Sequence, residues 1–302
     1  MFKKFRQTAV FIIAFVLITS FAFASAQHND ANSYSEINNF ILEMGKKYGP
    51  SRVLVAYDLD TTLLTANVYL GSEAWFDWQE SLLGTKSPYL VSNNFDTMLQ
   101  YDDIMMMVTK MHPTEACIPA DLDNYQKLGF KLMVLTARGA NLRGITDANL
   151  KDNDMYNCFN EAKPANGFAG DYIPFNIKNP EKYGLTKEEL TYFKQTHNPR
   201  PVSFYNGIFS ACGNNKGLML QTLLKKTDVQ GIKCIVFLDN TQENDDYVYD
   251  AFTKFHKGID VETFTYGYSN PWLNKIMTDK QIQDKCKEEW NALKKAIDNI
   301  NS

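Results

Sequence analysis

The chain has 302 residues, 44% of them apolar, with 31 Lys and Arg against 35 Asp and Glu for a net charge of −4. That length suffices for one α/β core with insertions, and the acidic balance argues against a nucleic-acid partner, which attracts basic surfaces. The absence of an internal repeat, of CxxC and of a His pair at metal spacing removes solenoids, thiol-redox motifs and the common zinc sites.

The N-terminus reads as an export signal. Lys3, Lys4 and Arg6 form a basic region, Thr8 to Phe23 an apolar one, and Ala24-Ser25-Ala26 a small-residue cleavage site. The apolar stretch is shorter than the roughly 20 residues a bilayer span needs, so cleavage after Ala26 is expected, with no membrane span afterwards. Loss of the three basic residues leaves 28 Lys and Arg against 35 acids, a net charge of −7 on an exported chain that is periplasmic or secreted. Residues 27–302 are then a single domain with inserted segments 64–128 and 140–200.

In the exported part Ser33-Tyr34-Ser35-Glu36 reads as a capping box, and Ile37, Phe40, Ile41 and Met44 carry the spacing of a packed helix. Apolar strands are expected near 53–58, 131–136, 202–211, 233–238 and 262–267. Helical stretches separate most of them, which predicts an α/β fold with a parallel sheet and helices on both faces. The first strand stops at Asp58 and Asp60, spaced so that two carboxylates can converge on one ligand where the chain turns. Asp58 can attack phosphorus, and Asp60 can protonate the leaving oxygen and then deprotonate water. Attack by an anion on an anionic phosphate needs a cation, so Mg²⁺ is implied. An acidic turn is the alternative for this pair.

Three later strand ends carry chemistry-bearing residues in sequence: Thr136 and Arg138 after the second, Lys216 beyond the third, and Asp239-Asn240 at the fourth. Ligands of open parallel sheets bind at that edge. The stretch from Val53 to Thr62 resembles the first motif, hhhhDxDxT, of the haloacid dehalogenase (HAD) superfamily, and Thr136, Lys216 and Asp239 match its further motifs in order. The resemblance implies a Rossmann-like HAD fold whose two insertions act as caps. It also implies Thr136 and Lys216 on the phosphoryl group, and Mg²⁺ held by Asp58, Asp60 and Asp239. A dehalogenase lacks the second aspartate and a P-type ATPase has lysine directly after the nucleophile, so Leu59 and Asp60 indicate an acid phosphatase acting on a small phosphorylated substrate. Asn240 departs from the acidic pattern of many relatives; it is expected to hold a metal-bound water, with Glu243 the alternative and Asp245 a solvated helix start. Arg138 is expected to bind a substrate carboxylate or second phosphate, or to form a surface ion pair.

Leu70 to Gln79, Leu135 to Gly139 and Asn214 to Gly217 are also similar to a family of secreted HAD-type proteins of unknown function from bacteria that live inside host cells. That likeness covers most of residues 45–270, names no substrate, and keeps open a secreted binding or effector protein with little turnover and a host or protein partner. Trp75, Trp78 and Leu82 have helix spacing and are expected to fill the first insert's own core, and the loops of the second to border the site. Cys212 and Cys234 are expected in or beside core strands as buried apolar residues, and Cys117 and Cys158 are able to pair in an oxidising compartment. The four histidines are expected on the surface or in loops. A last helix is predicted from a capping box at Thr278-Asp279-Lys280-Gln281 and an apolar stripe from Ile282 to Ile297, packed on the sheet.

Overall fold

The computed structural model describes residues 29–164 and 168–300; the expected export signal, residues 1–26, lies outside them. No described helix is long and apolar enough to cross a membrane. The chain starts with β1 (Asn29–Ala31), α1 (Tyr34–Tyr48) and the central strand β2 (Val53–Tyr57). Two short strands, β3 (Leu64–Ala66) and β4 (Met111–Pro113), bracket α2 (Glu73–Ser81) and α3 (Phe95–Met106). Next come α4 (Ile118–Leu128), β5 (Lys131–Thr136), α5 (Arg143–Asp152), α6 (Tyr156–Ala162), β6 (Gly170–Tyr172) and α7 (Lys187–Tyr192). Then follow β7 (Val202–Tyr205), β8 (Ile208–Ser210), α8 (Lys216–Lys226), β9 (Cys234–Asp239), α9 (Gln242–Asp250) and β10 (Asp260–Tyr266). The chain closes with α10 (Asn270–Leu273), α11 (Lys275–Thr278) and α12 (Lys280–Ile300).

The fold is α/β: an eight-stranded sheet in the order β1-β10-β9-β2-β5-β8-β7-β6, parallel from β1 to β8 and antiparallel over its last two pairings. Alternation along the strands sends side chains to two cores. Val53, Val55, Tyr57, Leu132, Val134 and Val236 meet Ile37 and Ile41 of α1, Leu122 and Tyr125 of α4, and Phe159 of α6. Leu54, Ala56, Met133, Leu135, Ile235 and Phe237 meet Leu218, Leu220 and Leu223 of α8 and Val248 of α9. With both faces covered, these strands read as continuous apolar runs.

One expected strand is two. Residues 202–211 form the hairpin β7–β8, turned by Asn206 and Gly207, both at positive φ (53° and 79°). Asn-Gly suits such a turn because both positions need left-handed backbone. A side chain at Gly207 would meet the carbonyl oxygen of Phe159 at 2.4 Å. The turn also restores direction: β7 runs against β5 and β8 runs with it, pairing Ser210 with Thr136.

The inserts differ from expectation too. Helix α4 belongs to the main core, so the first insert proper is β3, α2, α3 and β4, with an apolar core of its own. Trp75 and Trp78 are buried there, as their spacing predicts. Most of the second segment rejoins the main fold as α5, α6 and the edge strand β6, and among its described residues only Asn141, Leu142 and Arg200 reach the cavity described below. Helix α12 does not pack on the sheet. Its Cys286 and Trp290 join Trp75, Trp78 and Met105, with Trp290 stacked obliquely on Tyr101 at 4.6 Å between ring centroids. Its start is set by Asp279, which accepts from the amides of Gln281 and Ile282, not by Thr278. At α1, Ser33 is the N-cap but accepts from Ser35, so the box with Glu36 is not formed. All five cysteines are free: Cys117 is exposed, Cys158 buried, and Cys212 lies half-exposed beside the cavity instead of in the core.

Because α12 holds the insert from outside, Trp290→Ala is expected to cost about 3 kcal/mol, in the range for large-to-small core changes. Hydrogen exchange should speed up in α2 and α3 while β2 and β9 keep their protection. Uniform loss across the sheet would contradict this division.

Candidate active site

Four strand ends and two helix starts converge at the carboxyl edge of the sheet. Asp58 follows β2 directly, and its amide donates to Leu238 O of β9 at 2.8 Å, which registers the two acidic strand ends side by side. The chain then turns tightly, with Thr61 at φ 56°, Leu63 N bonded to Leu59 O and Thr61 N to Leu64 O. Lys216 opens α8 behind the N-cap Asn215, whose side chain accepts from Leu218 N at 3.0 Å. Gly217 is required next to it, since a Cβ there would meet Tyr247 O at 2.1 Å. This close approach of α8 to α9 drives the lysine inward.

The Lys216 ammonium, 2% exposed, donates to Asp58 Oδ1 at 2.5 Å and Asp239 Oδ2 at 2.6 Å. The remaining oxygen of Asp239 accepts from Thr241 N (2.9 Å) and Asn244 Nδ2 (3.2 Å). Burial pulls the Lys216 pKa down, but Asp239 and Asp58 outweigh it and leave the group above its ordinary value. Burial pushes the Asp58 carboxyl up to about 7; Lys216 opposes the rise, and Asp239 and Asp60 add to it. One ammonium therefore does not neutralise this cluster. Thr136 is buried at the same edge, its hydroxyl accepting from Arg138 N at 3.2 Å.

Asp58, Asp60, Thr136, Lys216, Asp239, Asn240 and Arg138 all line one cavity of about 290 Å³, walled on the far side by Phe76, Phe95, Leu99 and Asp102 of α2 and α3. Three residues have partners the sequence did not foretell. Arg138 is buried, not on the surface, and grips Asp60 with Nε (2.8 Å) and Nη2 (2.7 Å) while Nη1 donates to Thr146 Oγ1 (3.1 Å). Each oxygen of Asp60 thus accepts one N–H from the same guanidinium. Glu243 is exposed and contacts the Tyr247 hydroxyl, which removes it from the site. Asp245, expected in solvent, is buried, accepts from Thr265 Oγ1 at 2.7 Å and is pushed by burial and Asp239 up to about 9. His112, His197 and His256 do not line the cavity.

A family profile described as Protein of unknown function (DUF2608) matches residues 30–301. The chain belongs to this family. No curated protein and no solved structure matches it. The DUF2608 match spans the sheet, the first insert and α12, so every residue of the cavity lies within the family's extent.

The DUF2608 chain also places in the cavity a residue not singled out from sequence. Glu73, the first residue of α2, contacts the Thr61 hydroxyl and accepts from Asn240 Nδ2 at 3.2 and 3.3 Å. Burial, then Asp58, Asp77 and Asp60, hold its carboxyl well above the ordinary glutamate range. Its sequence signal is slight: Ser72 followed by Glu73 is ordinary N-cap grammar. The Asn240 amide that meets Glu73 leaves its own Oδ1 buried without a partner. Among the described residues no three His, Cys, Asp or Glu side chains form a ready metal cluster. The set Asp58, Asp239 and the orphaned Asn240 oxygen nonetheless fits a hard divalent cation, which takes oxygen ligands.

A pH dependence of stability follows. Asp58 (about 7), Asp102 (about 8, through burial and then Asp60) and Asp245 (about 9) stand above the value near 4 of an unfolded carboxyl. Between about pH 4 and 9 the folded state therefore binds more protons than the unfolded one, and stability falls as pH rises. In EDTA, Tm is expected to be higher at pH 5 than at pH 8; a rise over that interval would contradict the assigned carboxyl environments.

Proposed function

We propose that the protein is an exported, Mg²⁺-dependent HAD-type phosphatase that hydrolyses a small phosphomonoester through an aspartyl phosphate, its first insert acting as the cap over the cavity. The observation that carries this reading is the Asp58–Lys216–Asp239 cluster at the carboxyl edge of the sheet, facing a cavity large enough for a small phosphoester. Asp58 Oδ attacks phosphorus as the bond to the leaving oxygen breaks. Lys216 offsets charge on the nucleophile and phosphoryl oxygens, and the Thr136 hydroxyl orients them. Asp58 and Asp239, with the Asn240 oxygen beside them, would hold Mg²⁺, which when bound would supply the further positive charge that two anions need to meet.

The proton steps divide between two carboxyls. Asp60, held in place by the bidentate Arg138, is positioned to take a proton from the water that attacks the aspartyl phosphate. Glu73, which lines the cavity with its carboxyl held above the ordinary range, is suited to donate to the leaving oxygen. This departs from a single aspartate doing both.

With p-nitrophenyl phosphate and Mg²⁺, turnover is expected, lost on EDTA and lowered at least about a thousandfold by Asp58→Asn. Near wild-type turnover by that variant would overturn the assignment. Glu73→Gln is expected to lower kcat about a hundredfold for alkyl phosphates, whose leaving oxygen needs the proton, and far less for p-nitrophenyl phosphate. Equal losses on both would return the acid role to Asp60.

A further inference from the structure

Most charged groups around the cavity have partners within the protein. Asp58 and Asp239 share Lys216, Asp60 is held by Arg138, Asp103 accepts from Asn141 Nδ2 at 2.7 Å, and Glu73 is met by Thr61 and Asn240. Asp102 is different. It lies on α3, 3% exposed, lines the cavity, and its Oδ1 is buried with no hydrogen-bond donor. Arg138 is its cationic neighbour, but that guanidinium points its donors at Asp60 and Thr146. Asp77, on α2 and open to solvent, lines the same wall and adds its charge at Asp102.

A buried acceptor without a donor is costly unless a ligand supplies the missing group. The cavity as a whole is lined by seven acidic and three basic side chains, the third base being the exposed Arg200. A cation with N–H donors answers both the charge and the missing hydrogen bond, and charge-assisted bonds of this kind are the strong ones. Phe76 and Leu99, on the same wall, offer an apolar surface to the carbons between such a cation and the phosphate.

We propose that the leaving group of the substrate carries a primary ammonium seated against Asp102 and Asp77, so that the substrate class is a short aminoalkyl phosphate monoester. This rests on the phosphatase reading for the phosphate end and on the insert wall for the amine end. Phosphate sits at the strand ends, the chain crosses the apolar wall, and the ammonium donates to Asp102 Oδ1. A quaternary ammonium would bring the charge without the N–H and leave that oxygen unanswered.

The test is calorimetric titration of the Asp58→Asn protein, with Mg²⁺ at pH 7, using 2-aminoethyl phosphate, 2-hydroxyethyl phosphate and propyl phosphate. The amine is expected to bind about tenfold or more tighter than the other two, the size of one hydrogen bond to a charged group. A second change, Asp102→Leu, which removes the acceptor, is expected to erase the difference, with a thermal melt to show that the variant folds; the three-ligand comparison needs no such variant. Equal affinities, or no binding of any of the three, would overturn the proposal. Turnover of p-nitrophenyl phosphate by the unmutated protein separates the two ideas. Turnover without amine selectivity removes only the ammonium site, and selective binding without turnover of any phosphoester removes only the phosphatase.

Discussion

The site depends on one buried cation shared by two buried anions. Taking three charges out of water is expensive, and attraction repays it only where hydrogen bonds satisfy the remaining lone pairs. Lys216 can bridge Asp58 and Asp239 because parallel β2 and β9 end in register, and because Gly217 lets α8 approach α9. Burial is what raises Asp58 most, and the one negative charge the cluster keeps in excess adds to the rise and suits the place to a further cation. An arrangement this demanding has little value for stability, since apolar residues of similar volume often serve a core better. The proposed phosphoryl transfer would give it a purpose.

The second constraint is mechanical. The far wall of the cavity comes from α2 and α3, which reach the sheet through the short strands β3 and β4 and a few side-chain contacts such as that of Glu73 with Asn240. Helix α12, nearly two hundred residues later, completes their apolar core through Cys286 and Trp290. Position of the wall relative to the strand ends is thereby coupled to packing that touches no catalytic group, and misplacement by about 1 Å is enough to slow an oriented reaction.

Much of this was legible in the sequence, for physical reasons. Parallel strands buried on both faces announce themselves as apolar runs, and chemistry sits where they stop, so Asp58, Thr136 and Asp239 stood out, with Lys216 at the following helix start. The β7–β8 hairpin was written in Asn206-Gly207, although the apolar residues around it read as one strand. Pairings between distant segments were not legible. Arg138 looks like a solvent-facing or ligand-binding arginine until Asp60, 78 residues earlier in the chain, is seen in its fork. Glu73 looks like a helix-start acid until the turn after β2 and the start of α9 close around it. The apolar stripe of α12 showed that it is buried on one side but not against what, and its partner is the insert.

The central claim, that Asp58 becomes phosphorylated during turnover, is tested most directly by quenching the protein with borohydride while it hydrolyses p-nitrophenyl phosphate. An aspartyl phosphate is reduced to homoserine, which peptide mass mapping can locate. The account predicts homoserine at position 58, dependent on Mg²⁺ and on substrate. Steady phosphate release with no reduced residue at 58, or with the mark on another carboxylate, would contradict it.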